Sequence, residues 1–113
     1  MEKQYEVKIT RRAEQSMREI GLYIAVDLMA PETAIRMLRT FQTQIQKIAV
    51  FPGRVHYTPE EPWHSLGVRR KLVQNYYLYF WIDEENSRVQ IMDVVYAKQD
   101  QQRKLEAMPM KEK

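Results

Sequence analysis

The sequence predicts an α+β domain in the order β-α-α-β-β-β, in which a helix hairpin packs on one face of an antiparallel sheet. Two observations predict it. The first half holds two stretches with apolar residues at helical spacing. Residues 68–96, VRRKLVQNYYLYFWIDEENSRVQIMDVVY, hold three β-branched and aromatic runs separated by short polar turns. At 113 residues we expect one domain over 1–113, with a short charged tail from about 101 as the candidate flexible part.

The N-terminal stretch predicts a strand followed by a helix. Residues 4–9 alternate between apolar and polar side chains, as in a half-buried strand, and Thr10 suits a helix N-cap. Gly21, inside the helix, costs about 1 kcal/mol relative to alanine, for which a close helix crossing is one explanation. The apolar face over about 11–28 contains Ala13, Met17, Ile20, Ile24 and Leu28.

A second helix is predicted over about 31–49. Pro31 fits its first turn, and the sequence Phe51-Pro52-Gly53 ends it. Residues 52–67 are then irregular, and a loop of this length in a compact domain is usually functional or mobile. We expect Trp63 to anchor this loop to the domain.

The meander has predicted turns at 74–75 and 84–87, and one helical turn is expected near 100–106. Strand alternation directs Leu78, Phe80 and Ile82 toward the helices. It places three aromatic residues on the opposite face, which we expect to be an open contact surface: Tyr77, Tyr79 and Trp81. The first strand should join the sheet at an edge or beside the last strand.

Several classes of protein are disfavoured. There is no cysteine, so disulfides and thiolate chemistry are excluded. No apolar run reaches the ~20 residues that span a bilayer, and no signal peptide is recognisable, so we expect a cytoplasmic protein without a membrane partner. His56 and His64 lack the spacing of a metal site, and neither metal nor cofactor is expected. The net charge of +3 permits a polyanionic partner.

Four stretches carry a family resemblance: residues 5–10 before Ala13, Phe51-Pro52, residues 67–70, and residues 76–83 followed by 94–100. In this order and spacing they resemble RelE/ParE-superfamily toxins of type II toxin–antitoxin, or plasmid stabilisation, systems, over about residues 4–101. The resemblance implies a cognate antitoxin protein as partner. It implies one of two targets, because one branch cleaves mRNA on the ribosome without a metal, and the other acts on DNA gyrase and is not known as a nuclease.

Cleavage of RNA through its 2′-OH needs a proton acceptor, cations for the phosphorane charge and a donor for the leaving oxygen. The resemblance leads us to predict inhibition of translation by ribosome-associated mRNA cleavage, which would make the chain an endoribonuclease. The alternatives are a gyrase-directed toxin and a weakened member that acts as an interaction module. Candidate catalytic residues are Arg69, Lys71, Tyr77, Tyr96 and Lys98. Candidate nucleic-acid-binding residues are Arg69, Arg70, Lys71, Lys98 and Arg103.

Two positions depart from the cleaving branch. Tyr77 stands where that branch commonly has an arginine, and Gln99 stands where it often has a second basic residue. Loss of one cation aimed at the transition state could cost about 10²–10³ in rate, by analogy with an oxyanion donor. Residues 69–71 could equally be the solvated charges of an edge strand, which prevent aggregation.

Overall fold

The structure is a computed structural model that describes residues 4–110. It contains four strands and three α-helices, two of them followed by short irregular helical turns. The elements are β1 (Glu6–Ile9), α1 (Arg11–Leu22) with a π-helical turn (Tyr23–Asp27), α2 (Pro31–Val50) with a 3₁₀ turn (Pro52–Arg54), β2 (Arg69–Val73), β3 (Tyr76–Asp83), β4 (Arg88–Tyr96) and α3 (Gln101–Glu106). None of the helices in the described part of the chain is long and apolar enough to cross a membrane.

The sheet has the strand order β1-β4-β3-β2. The β2-β3-β4 meander is antiparallel as predicted, and β1 is an edge strand beside β4, also as predicted. β1 runs parallel to β4, with Val7 opposite Val89, so the complete sheet is mixed. β1 can pair with β4 in either the parallel or the antiparallel direction, because a long connection and not a hairpin links the two strands.

The helix hairpin forms where the capping and spacing signals place it. The Thr10 hydroxyl accepts a hydrogen bond from the backbone N–H of Ala13 at 3.1 Å, and Pro31 is the first residue of α2. Gly21 is buried, and a Cβ built on it would lie 3.2 Å from Cδ1 of Leu38 in α2. The close helix crossing therefore explains the glycine.

The end of the first helix differs from the prediction, which placed Leu28 on the buried face. Leu28 is 55% exposed, whereas Ile24 is buried. The physical reason is the π-helical turn at Tyr23–Asp27, in which the Leu28 N–H bonds to the Tyr23 carbonyl at 3.1 Å. A π turn adds one residue to the turn and moves the later side chains off the apolar stripe.

The two faces of the sheet are both covered. On the helix side, Leu78 and Phe80 are fully buried against Phe41 and its neighbours in the hairpin, and Ile82 packs at the margin, which confirms the predicted inward face. A second core lies on the other side. Its buried members are Trp63, Val68, Tyr79, Met92, Val95, Leu105 and Met108.

The prediction of an open aromatic face is therefore wrong. Tyr79 is fully buried, and Tyr77 and Trp81 are half-buried against the second core. Strand alternation assigns the three aromatics to one face correctly, but it does not say what covers that face. Trp63, from the loop between Arg54 and β2, and Leu105, from α3, supply the cover, so Trp63 is the anchor that was expected.

A buried carboxylate joins α1 to β4. Asp93 is 3% exposed and accepts hydrogen bonds from the Ser16 hydroxyl at 2.5 Å and from Nε of Arg12 at 3.1 Å. Its Oδ1 also accepts from the backbone N–H of Val94 at 2.8 Å. Because both carboxylate oxygens have donors, this charge can be buried at tolerable cost.

Candidate functional site

Arg69, the first cation of β2, holds the loop that precedes the strand. Its Nη1 donates to the Val55 carbonyl at 2.6 Å, and its Nη2 donates to the Tyr57 hydroxyl at 2.9 Å. The guanidinium carbon also lies 4.0 Å from the centre of the Tyr57 ring. These contacts engage both terminal nitrogens of the guanidinium, so Arg69 acts first as a loop anchor.

Arg70 points to the opposite face of the sheet, where it is covered by the same loop. Its Nη1 lies 3.4 Å from Oε2 of Glu60, and its side chain is 21% exposed. The guanidinium carbon lies 4.0 Å from the centre of the Tyr77 ring, so the tyrosine that replaces the expected arginine carries a cation stacked on it. Glu60, which also accepts from the Thr58 hydroxyl, balances that charge.

A chain of hydrogen bonds connects this covered face to the end of β4. The Tyr79 hydroxyl donates to Oε1 of Gln101 at 2.7 Å. The Gln101 amide nitrogen in turn donates to the carbonyls of Tyr96 at 2.9 Å and Gln99 at 2.8 Å. Gln101 thus fixes the turn that leads from β4 into α3, and Asp100 caps α3 through the Arg103 N–H at 3.2 Å.

Removing the Tyr79 hydroxyl should destabilise the protein and change its response to alkali. Burial, chiefly, raises the pKa of Tyr79 above its ordinary value, against the opposing effect of Arg70. A raised folded-state pKa contributes stability below about pH 10 that is lost as the pH rises further. Tyr79→Phe should cost about 1 kcal/mol at neutral pH, because Gln101 loses its donor.

The measurement is urea unfolding of both proteins at pH 7 and again above pH 10. The Phe variant should lose less additional stability at the higher pH than the wild type does. Tyr5 and Tyr76, whose pKa values are also raised, titrate in both proteins and cancel in the difference. If both proteins lost the same free energy of unfolding between pH 7 and the higher pH, the raised pKa would not belong to Tyr79.

A groove of about 770 Å³ lies between α1 and the end of β4. Tyr96 is 38% exposed in its wall, with its ring centre 5.8 Å from that of Tyr76. The wall contains side chains of both charges together with polar, aromatic and aliphatic ones: Arg12, Gln15, Ser16, Glu19, Ile20, Tyr23, Leu28, Asn75, Tyr76, Asp93, Val94, Val95, Tyr96, Gln99 and Lys104. An open groove of this mixed lining can hold a polar partner.

The remaining predicted residues are dispersed. Lys98 is exposed in the turn after β4, Arg103 is exposed on α3, and Lys71 is half-buried on β2 opposite Leu78. Arg69 lies opposite Phe80 and Tyr96 opposite Tyr76, which separates the two by about 13 Å along the strands, four residues at ~3.3 Å each. The structure does not gather the candidate catalytic residues at one point, and their catalytic and binding roles stay predictions.

Two residues of the groove were missed as site candidates. Lys104 lies in the segment predicted to be a charged tail, and Arg12 lies in the predicted first helix, yet both line the groove that contains Tyr96. Lys104 is i+4 from Asp100, the helix cap, a spacing that places both at the same side of α3. The sequence carried that spacing but no signal for where α3 packs.

The fold and the groove can now be compared with known proteins. The sequence profile described as "ParE toxin of type II toxin-antitoxin system, parDE" matches residues 7–101. The structure is similar to the chromosomal ParDE toxin–antitoxin system from P. aeruginosa, with 20% identity, a TM-score of 0.69, and coverage of 84% of this chain and 98% of that one. It is also similar to a RelBE toxin–antitoxin complex from Mycobacterium tuberculosis, with 21% identity, a TM-score of 0.63, and coverage of 84% and 94%.

The two structural matches show that the chain is an α+β protein with the fold found in toxin–antitoxin systems. At such low identity the structural likeness shows the fold alone. The match of the family profile covers most of the chain, and the chain belongs to the ParE toxin family of type II toxin–antitoxin systems. A sequence comparison with curated proteins found no relative.

Proposed function

We propose that this toxin acts by binding its target and not by cutting RNA, and that the target is DNA gyrase. The sequence placed mRNA cleavage first. One observation favours a gyrase-directed toxin. Arg69 is bound to Val55 and Tyr57, and Arg70 is bound to Glu60, so the two arginines are not directed together at a substrate. Membership of the ParE family supports the same choice.

A site that cleaves RNA needs several cations at one point. Stabilising a phosphorane requires preorganised donors that converge on the developing charge, and each is worth about 10²–10³ in rate. Arg69 and Arg70 lie on opposite faces of β2, and Tyr96 and Lys98 lie at the far end of the sheet. A protein that inhibits by binding needs no such convergence.

The test is a supercoiling assay with purified gyrase, relaxed plasmid and increasing amounts of the purified toxin. We expect loss of supercoiling or accumulation of cleaved plasmid, and induced expression should arrest growth while messenger RNA stays intact. New 5′ ends within codons, mapped by primer extension after induction, together with unaffected gyrase, would overturn the proposal.

One observation keeps mRNA cleavage as a second candidate. Tyr96 is exposed in a groove that also contains Lys104, with Lys98 nearby in the chain. A tyrosine and a lysine at one groove could supply proton transfer and charge stabilisation. If primer extension shows cleavage, Tyr96→Phe should reduce it and leave the fold intact.

We further propose that the cognate antitoxin covers the tip of the helix hairpin. Five large apolar residues there are each at least half exposed, and we call them the hairpin-tip patch: Leu22, Tyr23, Val26, Leu28 and Met29. Contiguous exposed apolar surface marks an interaction site. Tyr23 and Leu28 also line the groove, so a single partner can contact both surfaces.

A further inference from the structure

The chain contains a long segment without acidic residues. Between Glu32 and Glu60 there is no aspartate or glutamate, although acidic residues are common elsewhere in the sequence. The same segment carries four arginine or lysine residues: Arg36, Arg39, Lys47 and Arg54. It covers α2 after its first turn and the turn that follows the helix. The segment therefore carries net positive charge with no acidic residue to offset it.

The helix directs these cations to one side. At 100° per residue, Arg36, Arg39 and Lys47 lie within a sector of about 80°, opposite the buried Phe41 and Ile45. All three cations are exposed. Arg36 and Lys47 are separated by about 16 Å along the helix axis, at ~1.5 Å per residue. We call the three residues the α2 basic face.

Within residues 4–110, no carboxylate forms an ion pair with these three cations, although Glu32 in the first turn of α2 shares their side of the helix. Arg36 donates to the Thr33 hydroxyl at 3.0 Å, a neutral partner. The ion pairs formed between residues 4 and 110 involve Arg12, Arg18, Arg70 and Arg88, and none involves α2. By contrast, the predicted binding residue Arg70 is neutralised by Glu60. The three cations of the α2 basic face therefore keep their positive charge without an ion-pair partner in the described part of the chain.

We propose that the α2 basic face binds the phosphodiester backbone of a nucleic acid. Between the cations lie exposed hydroxyl and amide side chains, among them Gln42, Thr43 and Gln46. Arginine, lysine, threonine and glutamine are the side chains that contact phosphate oxygens without reading bases. The proposal does not depend on gyrase being the target, and it places nucleic-acid contact away from the sheet residues suggested by the sequence.

A protein partner fits this face less well. A stable protein interface needs an apolar core that excludes water, and the side chains between Arg36 and Lys47 on this side are polar. Five exposed large apolar residues of the described chain form the hairpin-tip patch instead. Charge and hydrogen bonding are what the α2 basic face offers, and a phosphate backbone is bound by those two means.

The test measures binding of the purified full chain to a labelled DNA duplex and to a labelled single-stranded RNA, by fluorescence anisotropy over a series of salt concentrations. The triple variant Arg36→Gln, Arg39→Gln, Lys47→Gln should bind at least about tenfold more weakly. The slope of log K against log salt for the duplex should fall by up to about 2.7, that is ~0.9 for each lost phosphate contact. The DNA and RNA arms show which nucleic acid is preferred.

A second triple variant removes the same charge outside the α2 basic face and outside the candidate binding residues: Arg11→Gln, Arg18→Gln, Arg54→Gln. All three side chains are exposed, so both variants should unfold at the temperature of the wild type. For the second variant, the slope of log K against log salt should stay close to that of the wild type. An equal loss in both variants, no binding by the wild type at low salt, or equally tight binding of polyglutamate would overturn the proposal. Gyrase inhibition without nucleic-acid binding would reject this proposal and leave the proposed function standing.

Discussion

Replacing Asp93 with alanine should cost about 3 kcal/mol of unfolding free energy, the lower end of the range for breaking a buried ion pair. The carboxylate is buried and accepts hydrogen bonds from the Ser16 hydroxyl, the Arg12 guanidinium and the Val94 N–H. After the substitution the Ser16 hydroxyl and the Val94 N–H would be left without acceptors at a helix–sheet contact. The Arg12 side chain is 37% exposed and can turn to water, which keeps the cost from being larger.

The measurement is urea unfolding of the two proteins, accompanied by a thermal scan that should show a decrease of roughly 10 °C for a domain of this size. Asp93→Asn keeps one acceptor oxygen, so its free energy of unfolding should decrease by less than that of Asp93→Ala. Ser16→Ala should lose about 1 kcal/mol, and much of that effect should disappear in the Asp93→Ala background, because the two groups share one interaction. A loss below about 1 kcal/mol for Asp93→Ala would show that the contact is dispensable.

A double substitution at the hairpin-tip patch, Val26→Glu with Met29→Glu, should weaken antitoxin binding at least about 100-fold, because desolvated apolar anchors contribute roughly 2 kcal/mol or more each. Val26 is 66% exposed and Met29 is 85% exposed, so the fold should tolerate both carboxylates. The measurement is calorimetric titration with the cognate antitoxin. Growth arrest should also resist rescue when the antitoxin is co-expressed.

Gln102→Glu is the matched control, because it adds a carboxylate at an exposed position of α3 outside the patch. It should leave antitoxin binding within a few-fold of the wild type. If the patch variant binds as tightly as this control, the antitoxin covers another surface, and the groove beside Tyr96 is the next place to test.

The order of elements could be predicted from the sequence because each element carries its own local signal. Thr10 and Pro31 mark helix starts, and the alternation through Leu78, Phe80 and Ile82 marks the inward face of β3. These signals act over a few residues, and the structure agrees with them. The π-helical turn before Leu28 was missed, because its extra residue is absorbed within an otherwise regular apolar pattern.

The candidate site was less accessible to sequence reasoning because it depends on packing between distant segments. Tyr79 was placed on the correct face, but its burial comes from Trp63 and Leu105, which lie far from it in the chain. Arg70 was recognised as a cation, whereas its neutralisation by Glu60 depends on the path of an irregular loop. No periodicity in the sequence describes the path of such a loop. The sequence therefore predicts where the cations are, but not which of them are neutralised by a neighbouring carboxylate.

The position of β4 has a consequence for the order in which the toxin can be made. β4 is the strand that joins β1 to the rest of the sheet, and it is the last strand to be synthesised. Until it leaves the ribosome, β1 has no neighbouring strand, and the core beneath the helices lacks Val89, Ile91 and Val94. The toxin fold therefore completes only after β4 has been made, and until then the preceding elements are exposed to chaperones, proteases and early partners.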